Sequence, residues 1–183
     1  MKIVKHHEVG VSALIQQERF DLVFDLMKVS FPEIEYRDYK SQKKLLSDRR
    51  YHLLTEENKQ GEVIAFLAGW EFDTFRYVEN IAVSPSIRGG GIGKQLMERF
   101  MKQSTLPIIL EVEEPQDELK RRRVRFYERL GFYLGDFKYV QPPLRDGMSG
   151  LPLCIMSYPE RLTDSQFKCV RNVLYREVYN FQK

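Results

Sequence analysis

The stretch Ile81 to Lys94, IAVSPSIRGGGIGK, constrains this chain more than any other. An apolar, strand-like run stops at Ser84-Pro85. Arg88 and the glycines Gly89, Gly90, Gly91 and Gly93 follow, and an amphipathic helix then begins. A strand that passes through a glycine-rich turn into a helix N-terminus gathers backbone N–H groups around the turn and so builds an anion site. Glycines carry no Cβ, so the backbone can come close to a phosphate. The loop thus fixes one β-loop-α unit and a phosphorylated ligand for it.

Spacing narrows the ligand. A P-loop needs glycine five residues before its Gly-Lys pair and Ser or Thr after it. With Gly93-Lys94 as the pair, those positions hold Arg88 and Gln95. A dinucleotide fingerprint needs G-x-G-x-x-G. Gly89 and Gly91 would require glycine at Lys94, and Gly91 and Gly93 would require it at Leu96. Neither nucleotide motif is present.

The remaining apolar periodicity orders the elements. A short strand is expected near Lys2–Lys5. A helix follows over Ala13–Val29, with Leu22, Val23, Leu26 and Met27 as its stripe, then a more polar helix over Tyr39–Asp48. Tyr51–Thr55 and Glu62–Glu71 read as a hairpin, and Tyr77–Val83 as the strand entering the glycine loop. Gly91–Gln103 reads as a helix, Pro107–Val112 as a strand, and Gln116–Leu130 as a helix ended by Gly131. Phe132–Val140 and Leu151–Tyr158 are expected as the last strands. Thr163-Asp164 caps a C-terminal helix running to about Asn180. The order βααβββαβαββα predicts an α+β fold: a mixed, mostly antiparallel sheet containing a parallel pair and flanked by helices. No repeat or linker divides residues 1–183, which read as one domain.

Composition bounds the function. With 183 residues, 43% hydrophobic and 30% charged, the chain has the make-up of a globular protein able to bury a core. A net charge of +3 is too small to argue for general nucleic-acid binding. No apolar run is long enough to cross a bilayer, and the N-terminus lacks the apolar core of a secretory signal. Two cysteines, Cys154 and Cys169, make no disulfide framework, so a reduced cytoplasmic setting is expected. The histidines His6, His7 and His52 show no metal-ligand spacing with them, and no metal is expected.

What the loop does match is R-x-x-G-x-G, at Arg88, Gly91 and Gly93. Downstream, Arg125 to Tyr133 read RFYERLGFY, an aromatic-Tyr-x-x-Leu-Gly-Phe pattern one strand and one helix later. Together these resemble the acyl-CoA signature and second motif of the GCN5-related N-acetyltransferase (GNAT) superfamily. The resemblance runs from the first strand to the strand at Leu151, with the helix at about 163–181 as an addition to the minimal fold. It implies transfer of an acetyl group from acetyl-CoA to an amine, by direct attack and without an acyl-enzyme. The amides of Gly89, Gly90, Gly91, Ile92, Gly93 and Lys94 would hold the CoA pyrophosphate, with Arg88 adding charge. Ile81, Ala82 and Val83 complete the cofactor-binding stretch. Lys94 reads equally as a phosphate contact or as a solvated helix residue.

An amine of lysine-like pKa ~10.4 is neutral in only about one molecule in 2,500 at pH 7, so a base at the site is valuable. Two acids qualify equally. Glu111, in IILEVEEP, resembles the Leu-Glu-Val of ribosomal-protein N-terminal acetyltransferases, and Glu79, in YVENIAV, lies where other members place an acid. Glu113 shares a strand face with Glu111 by alternation. Tyr127 matches the family tyrosine that protonates the departing thiolate. One position departs from the family: Lys120, at the head of a Lys120–Arg123 run, stands where relatives carry asparagine. Cys154 and Cys169 have no histidine near them in sequence, which disfavours a cysteine nucleophile.

The acceptor is expected to be a small-molecule or peptide amine, bound between the N-terminal helices and the Gln141–Gly150 loop. Phe31, Tyr36, Tyr39, Trp70, Phe72 and Phe75 either line its pocket or pack core. A homodimer stays open. So does a second reading, a non-catalytic domain that binds acyl-CoA and regulates a partner.

Overall fold

The computed structural model describes the backbone of residues 5–87 and 89–181, and side chains within those from residue 18 onward. Helix α1 (Lys5–Ser30) is followed by α2 (Tyr39–Lys44) and the hairpin β1 (Tyr51–Glu57) and β2 (Val63–Glu71). Then come β3 (Arg76–Val83), α3 (Ile92–Met101), β4 (Ile108–Val112) and α4 (Glu118–Glu128). The chain closes with β5 (Tyr133–Leu134), β6 (Tyr139–Gln141), β7 (Leu151–Tyr158) and α5 (Asp164–Val173), which runs into a π-helical turn, Leu174–Val178. The strand expected at Lys2–Lys5 falls outside the described residues, except for Lys5, which opens α1.

Seven strands form one sheet in the order β1-β2-β3-β4-β7-β5, with β6 also pairing to β7. All neighbours are antiparallel except β3 and β4. The mixed sheet flanked by helices is the α+β architecture expected from the element order. Its two faces bury separate cores. One joins α1 and α5 through Phe20, Val23, Met27, Phe167 and Val170 to Phe66, Trp70, Ile109 and Ile155. The other packs Leu96, Met97 and Phe100 of α3 and Val124 and Tyr127 of α4 on Leu67, Ile108, Leu110 and Met156.

Local chemistry explains the boundaries. Gly91, at φ 76°, caps the N-terminus of α3. The side chain of Asp117 accepts from the Lys120 amide to start α4, and Gly131, at φ 91°, ends it in the left-handed conformation. Thr163 and Gln166 form a reciprocal capping box at α5. Two expectations shift. On α1, Val23, Leu26 and Met27 of the expected stripe are buried, joined by Phe20 and Phe24, whereas Leu22 is 42% exposed. The strand expected over Phe132–Val140 breaks into β5 and β6. Leu134 pairs with Met156 and Tyr139 with Leu153, so four residues oppose two. The excursion lets Phe137 stack on Phe167 of α5, ring centroids 4.2 Å apart.

At Gly69 of β2 the sheet and Phe100 of α3 approach closely. A Cβ there would lie 2.9 Å from both Phe100 Cζ and the Tyr77 carbonyl oxygen. Gly69→Ala should therefore destabilise the fold by about 1–3 kcal/mol, read as a lower urea midpoint at unchanged m-value.

Candidate active site

The glycine loop has the geometry its composition demands. Gly89 and Gly91 take φ of 99° and 76°, which other residues rarely adopt, and an added Cβ at either would meet nothing within 4 Å. The open space above the loop is where a ligand can approach the backbone. Gly93 is needed for a different reason: its Cβ would press on Val83 Cγ2 at 3.3 Å, where α3 packs on β3. The amide of Gln95 is taken by the Gly91 carbonyl, which leaves the Ile92, Gly93 and Lys94 amides as the unsatisfied donors of the first turn. Lys94 is largely exposed, 3.7 Å from Glu98 one turn on. Arg88 lies outside the described residues.

The loop sits at the end of a wedge. β3 and β4 pair only over Arg76–Val78 and Ile108–Leu110. Beyond that, β3 stays bonded to β2 on one side, and β4 to β7 on the other. The facing edges, Asn80–Val83 and Glu111–Val112, part without a strand between them. Along Ile81 and Ala82, that side of β3 faces no strand, so an extended ligand can run beside it.

A β-bulge turns the first glutamate. Ala68 pairs with Asn80 and Gly69 with Val78, so Glu79 is an extra residue in β3. Strand parity changes across it. Tyr77 and Ala82 join the core under α1, while Val78, Ile81 and Val83 face α3. Glu79 points to the α1 side. There Arg37 Nη1 donates to one of its oxygens and Trp70 Nε1 donates to the other at 2.8 Å. This is a buried ion pair, with the two side chains 8% and 4% exposed. Arg37 Nη2 also donates to the Val178 carbonyl at 2.8 Å.

Glu111 lies on the same face and is held by tyrosines. The hydroxyls of Tyr77 and Tyr179 donate to Oε2 at 2.9 and 2.8 Å, and that of Tyr139 donates to Oε1. Burial pushes the Glu111 carboxyl up to about 7, with the Glu79 charge adding to the push, although the three hydroxyls pull it down. Burial and the neighbouring carboxylate push the phenols of Tyr77, Tyr139 and Tyr179 upward in turn, so they remain protonated donors. Glu113 is engaged elsewhere, 2.7 Å from Arg123 and 3.5 Å from Lys120 of α4.

Tyr127 stands on the opposite face, packed edge-on to Phe126 and Phe132 with centroids 5.0 and 5.8 Å away. Burial pushes its phenol up to about 12. The sheet therefore brings Glu79 and Glu111 together on one side of the wedge and sets Tyr127 on the other. The basic run of α4 is largely self-neutralised: Lys120 and Arg123 pair with Glu113, and Arg121 and Arg125 with Glu118. Cys154 lines a shallow cleft with Glu114, Leu134 and Asp136, and burial followed by those two acids raises its thiol. That setting does not make a nucleophile.

Among the aromatics expected around the acceptor, Tyr36, Trp70, Phe72 and Phe75 are core. Only the indole N–H of Trp70 reaches the site. The Gln141–Gly150 loop meets the N-terminal segment through Arg145, which donates to the Tyr36 carbonyl at 3.0 Å and lies over the Tyr36 ring. Arg37, Tyr77, Tyr139 and Tyr179 are the site residues the sequence reading missed. An arginine and three tyrosines scattered over a chain with 10 tyrosines carry no spacing signal.

Comparison with known proteins bears on the family and the fold. An acetyltransferase (GNAT) domain model matches residues 48–134. A solved structure from Bacteroides thetaiotaomicron, assigned to the GNAT acetyltransferases, is 32% identical with a TM-score of 0.82, covering 93% of this chain and 96% of that one. YjbC of Bacillus subtilis (strain 168), whose name assigns it as an acetyltransferase, is 32% identical over 111 residues. That match spans 60% of this chain and 55% of YjbC, about half the length of this curated relative. An aminoglycoside 6'-N-acetyltransferase complexed with coenzyme A shares the fold at a TM-score of 0.58 and 19% identity, over 79% of this chain and 93% of that one.

The buried Arg37–Glu79 pair gives a test of the architecture. Arg37→Met strands a buried carboxylate and should cost about 3–5 kcal/mol in urea unfolding. The double variant Arg37→Met/Glu79→Gln, which removes the stranded charge, should recover part of that loss.

Proposed function

The chain belongs to the GNAT acetyltransferase family, and on that premise we propose that it moves an acetyl group from acetyl-CoA to a primary amine by direct attack in a ternary complex. The fit to acetyl-CoA rests on two observations. The Gly89–Gly91 turn has open space where Cβ atoms would stand, and the Ile81–Val83 edge has no strand across from it. The loop amides from Gly89 to Lys94 and the side chain of Arg88 would take the pyrophosphate, and the open β3 edge the extended arm. When bound, the cofactor supplies an activated acetyl group.

The single observation that carries the reading is the setting of Glu111. Its carboxyl lies beside the wedge, held by three hydroxyls, and burial pushes it up to about 7, the range suited to a base at neutral pH. Glu111 takes the proton from the incoming ammonium. Glu79 is the weaker candidate of the two, because it is committed to a buried ion pair with Arg37, whereas Glu111 is bonded only by neutral hydroxyls. It serves as a fixed negative charge. Tyr127 acts from the other face, on the departing sulfur. Its proton is held more tightly than an ordinary phenol's, so it assists by hydrogen bonding as the thiolate forms. The acceptor is a small-molecule or peptide amine, entering on the Glu111 side between the N-terminal segment and the Gln141–Gly150 loop. The reaction belongs in the cytoplasm, and among the described residues no helix is long and apolar enough to cross a membrane.

Release of CoA thiol over an amine panel tests the reading. The wild-type protein should turn over at least one amine. Its kcat/KM should fall about tenfold per pH unit below 7, because only the ionised carboxylate accepts a proton. Glu111→Gln should lose about 10²–10⁴-fold and abolish that acid limb. CoA binding with no thiol release from any amine would leave a binding domain instead. Tyr127→Phe should lower kcat by about 10²-fold with CoA affinity nearly unchanged, and unchanged turnover would remove Tyr127 from the reaction.

A further inference from the structure

The helix at the C-terminal end of the chain does more than cover the sheet. After α5 the backbone widens into a π turn, in which the Tyr179 amide bonds to the Leu174 carbonyl five residues back at 3.1 Å. An extra residue in a turn rotates everything after it by about 100° around the helix axis. Asn180 then takes φ 50°, a left-handed value asparagine tolerates, and the Phe181 amide returns to the Tyr175 carbonyl at 2.7 Å. Three side-chain bonds tie the turn to the rest of the fold: Arg37 Nη2 to the Val178 carbonyl at 2.8 Å, Arg50 Nη1 to Glu177 Oε2 at 2.8 Å, and Tyr175 Oη to the Val140 carbonyl at 2.6 Å. The outcome is a fixed Tyr179 hydroxyl, 2.8 Å from Glu111 Oε2 and 2.8 Å from the Tyr77 hydroxyl.

We propose that Tyr179 is a positioning residue of the acetyl transfer: its hydroxyl holds the Glu111 carboxylate ionised and fixed beside the wedge, which makes the C-terminal helix a working part of the active site. The inference rests on Glu111 serving as the base. The groups facing Glu111 are Tyr77 and Glu79 from β3, Tyr139 from β6, and Tyr175 and Tyr179 from the C-terminal helix, with Arg37 behind Glu79. Burial and the Glu79 charge oppose ionisation, and the three donated O–H bonds favour it. Tyr77 and Tyr139 belong to strands of the sheet. Tyr179 alone among the donors is carried by an element outside it.

Two readouts separate this proposal from the reading beneath it. In full-length protein labelled with ¹³C-glutamate, the Glu111 carboxyl is assigned by its loss in Glu111→Gln and titrated directly. Tyr179→Phe, which keeps the ring and removes the donor, should move that midpoint upward by about one to two pH units. The acid limb of kcat/KM should move with it. Fluorotyrosine at position 179, a stronger donor, should move both downward. Tyr133→Phe removes an exposed hydroxyl on β5 that is not among those reaching Glu111 and should leave both in place. An unmoved carboxyl midpoint in Tyr179→Phe, or an equal shift in Tyr133→Phe, overturns the proposal. A shifted carboxyl with an unshifted acid limb shows instead that Glu111 is not the base, and removes Tyr179 from the reaction with it.

Discussion

The parallel pair of β3 and β4 holds together only over Arg76–Val78 and Ile108–Leu110, and the site follows from that early parting. A sheet normally satisfies both edges of each inner strand, and an open edge is a liability that proteins cover or use. Here the parting lies inside the sheet, where β2 and β7 still hold the outer edges of the two strands. The opening is therefore rigid on both sides. It runs from the glycine loop at the end of β3 toward the face that carries both glutamates.

The bulge at Glu79 sets the chemistry of that opening. By turning the strand's parity, it lets Tyr77 and Glu79 face the α1 side while Ile81 and Val83 face α3. Two carboxylates then share one low-dielectric region with one cation. Arg37 pairs with Glu79, and Glu111, with only neutral donors around it, rises to about 7. An ion pair placed the other way round would exchange the two roles. In the proposed mechanism, which glutamate serves as base thus depends on which one Arg37 reaches. Arg37 in turn is held by the Val178 carbonyl at the far end of the chain.

Most of the architecture was legible in the chain itself. The glycine spacing of Gly89–Gly93, the Gly131 stop and the Thr163 cap are local signals, decided within a few residues, and each sits where its chemistry requires. The split of β5 from β6 was not legible, because its cause is Phe137 reaching Phe167 across the fold. Nor was the outward turn of Leu22 on α1. Leu22 and Phe24 are both apolar, and only the packed sheet determines which of them is buried. At the site, Glu79, Glu111 and Tyr127 stand out as acids in apolar strands and a tyrosine in a motif. Their hydrogen-bonding partners do not stand out. Tyr179 and Arg37 come within reach of the two glutamates across sequence separations of 68 and 42 residues.

The sequence by itself determined the glycine turn between β3 and α3, the order of elements and the short list of acids and phenols able to handle protons. These depend on φ, Cβ volume and apolar periodicity, which act locally. Only the tertiary structure decided which acid is neutralised and which is poised. A carboxyl's affinity for its proton depends on burial and on charges and donors within a few ångströms, and here those are brought by α2's leading loop, β6 and the C-terminal helix.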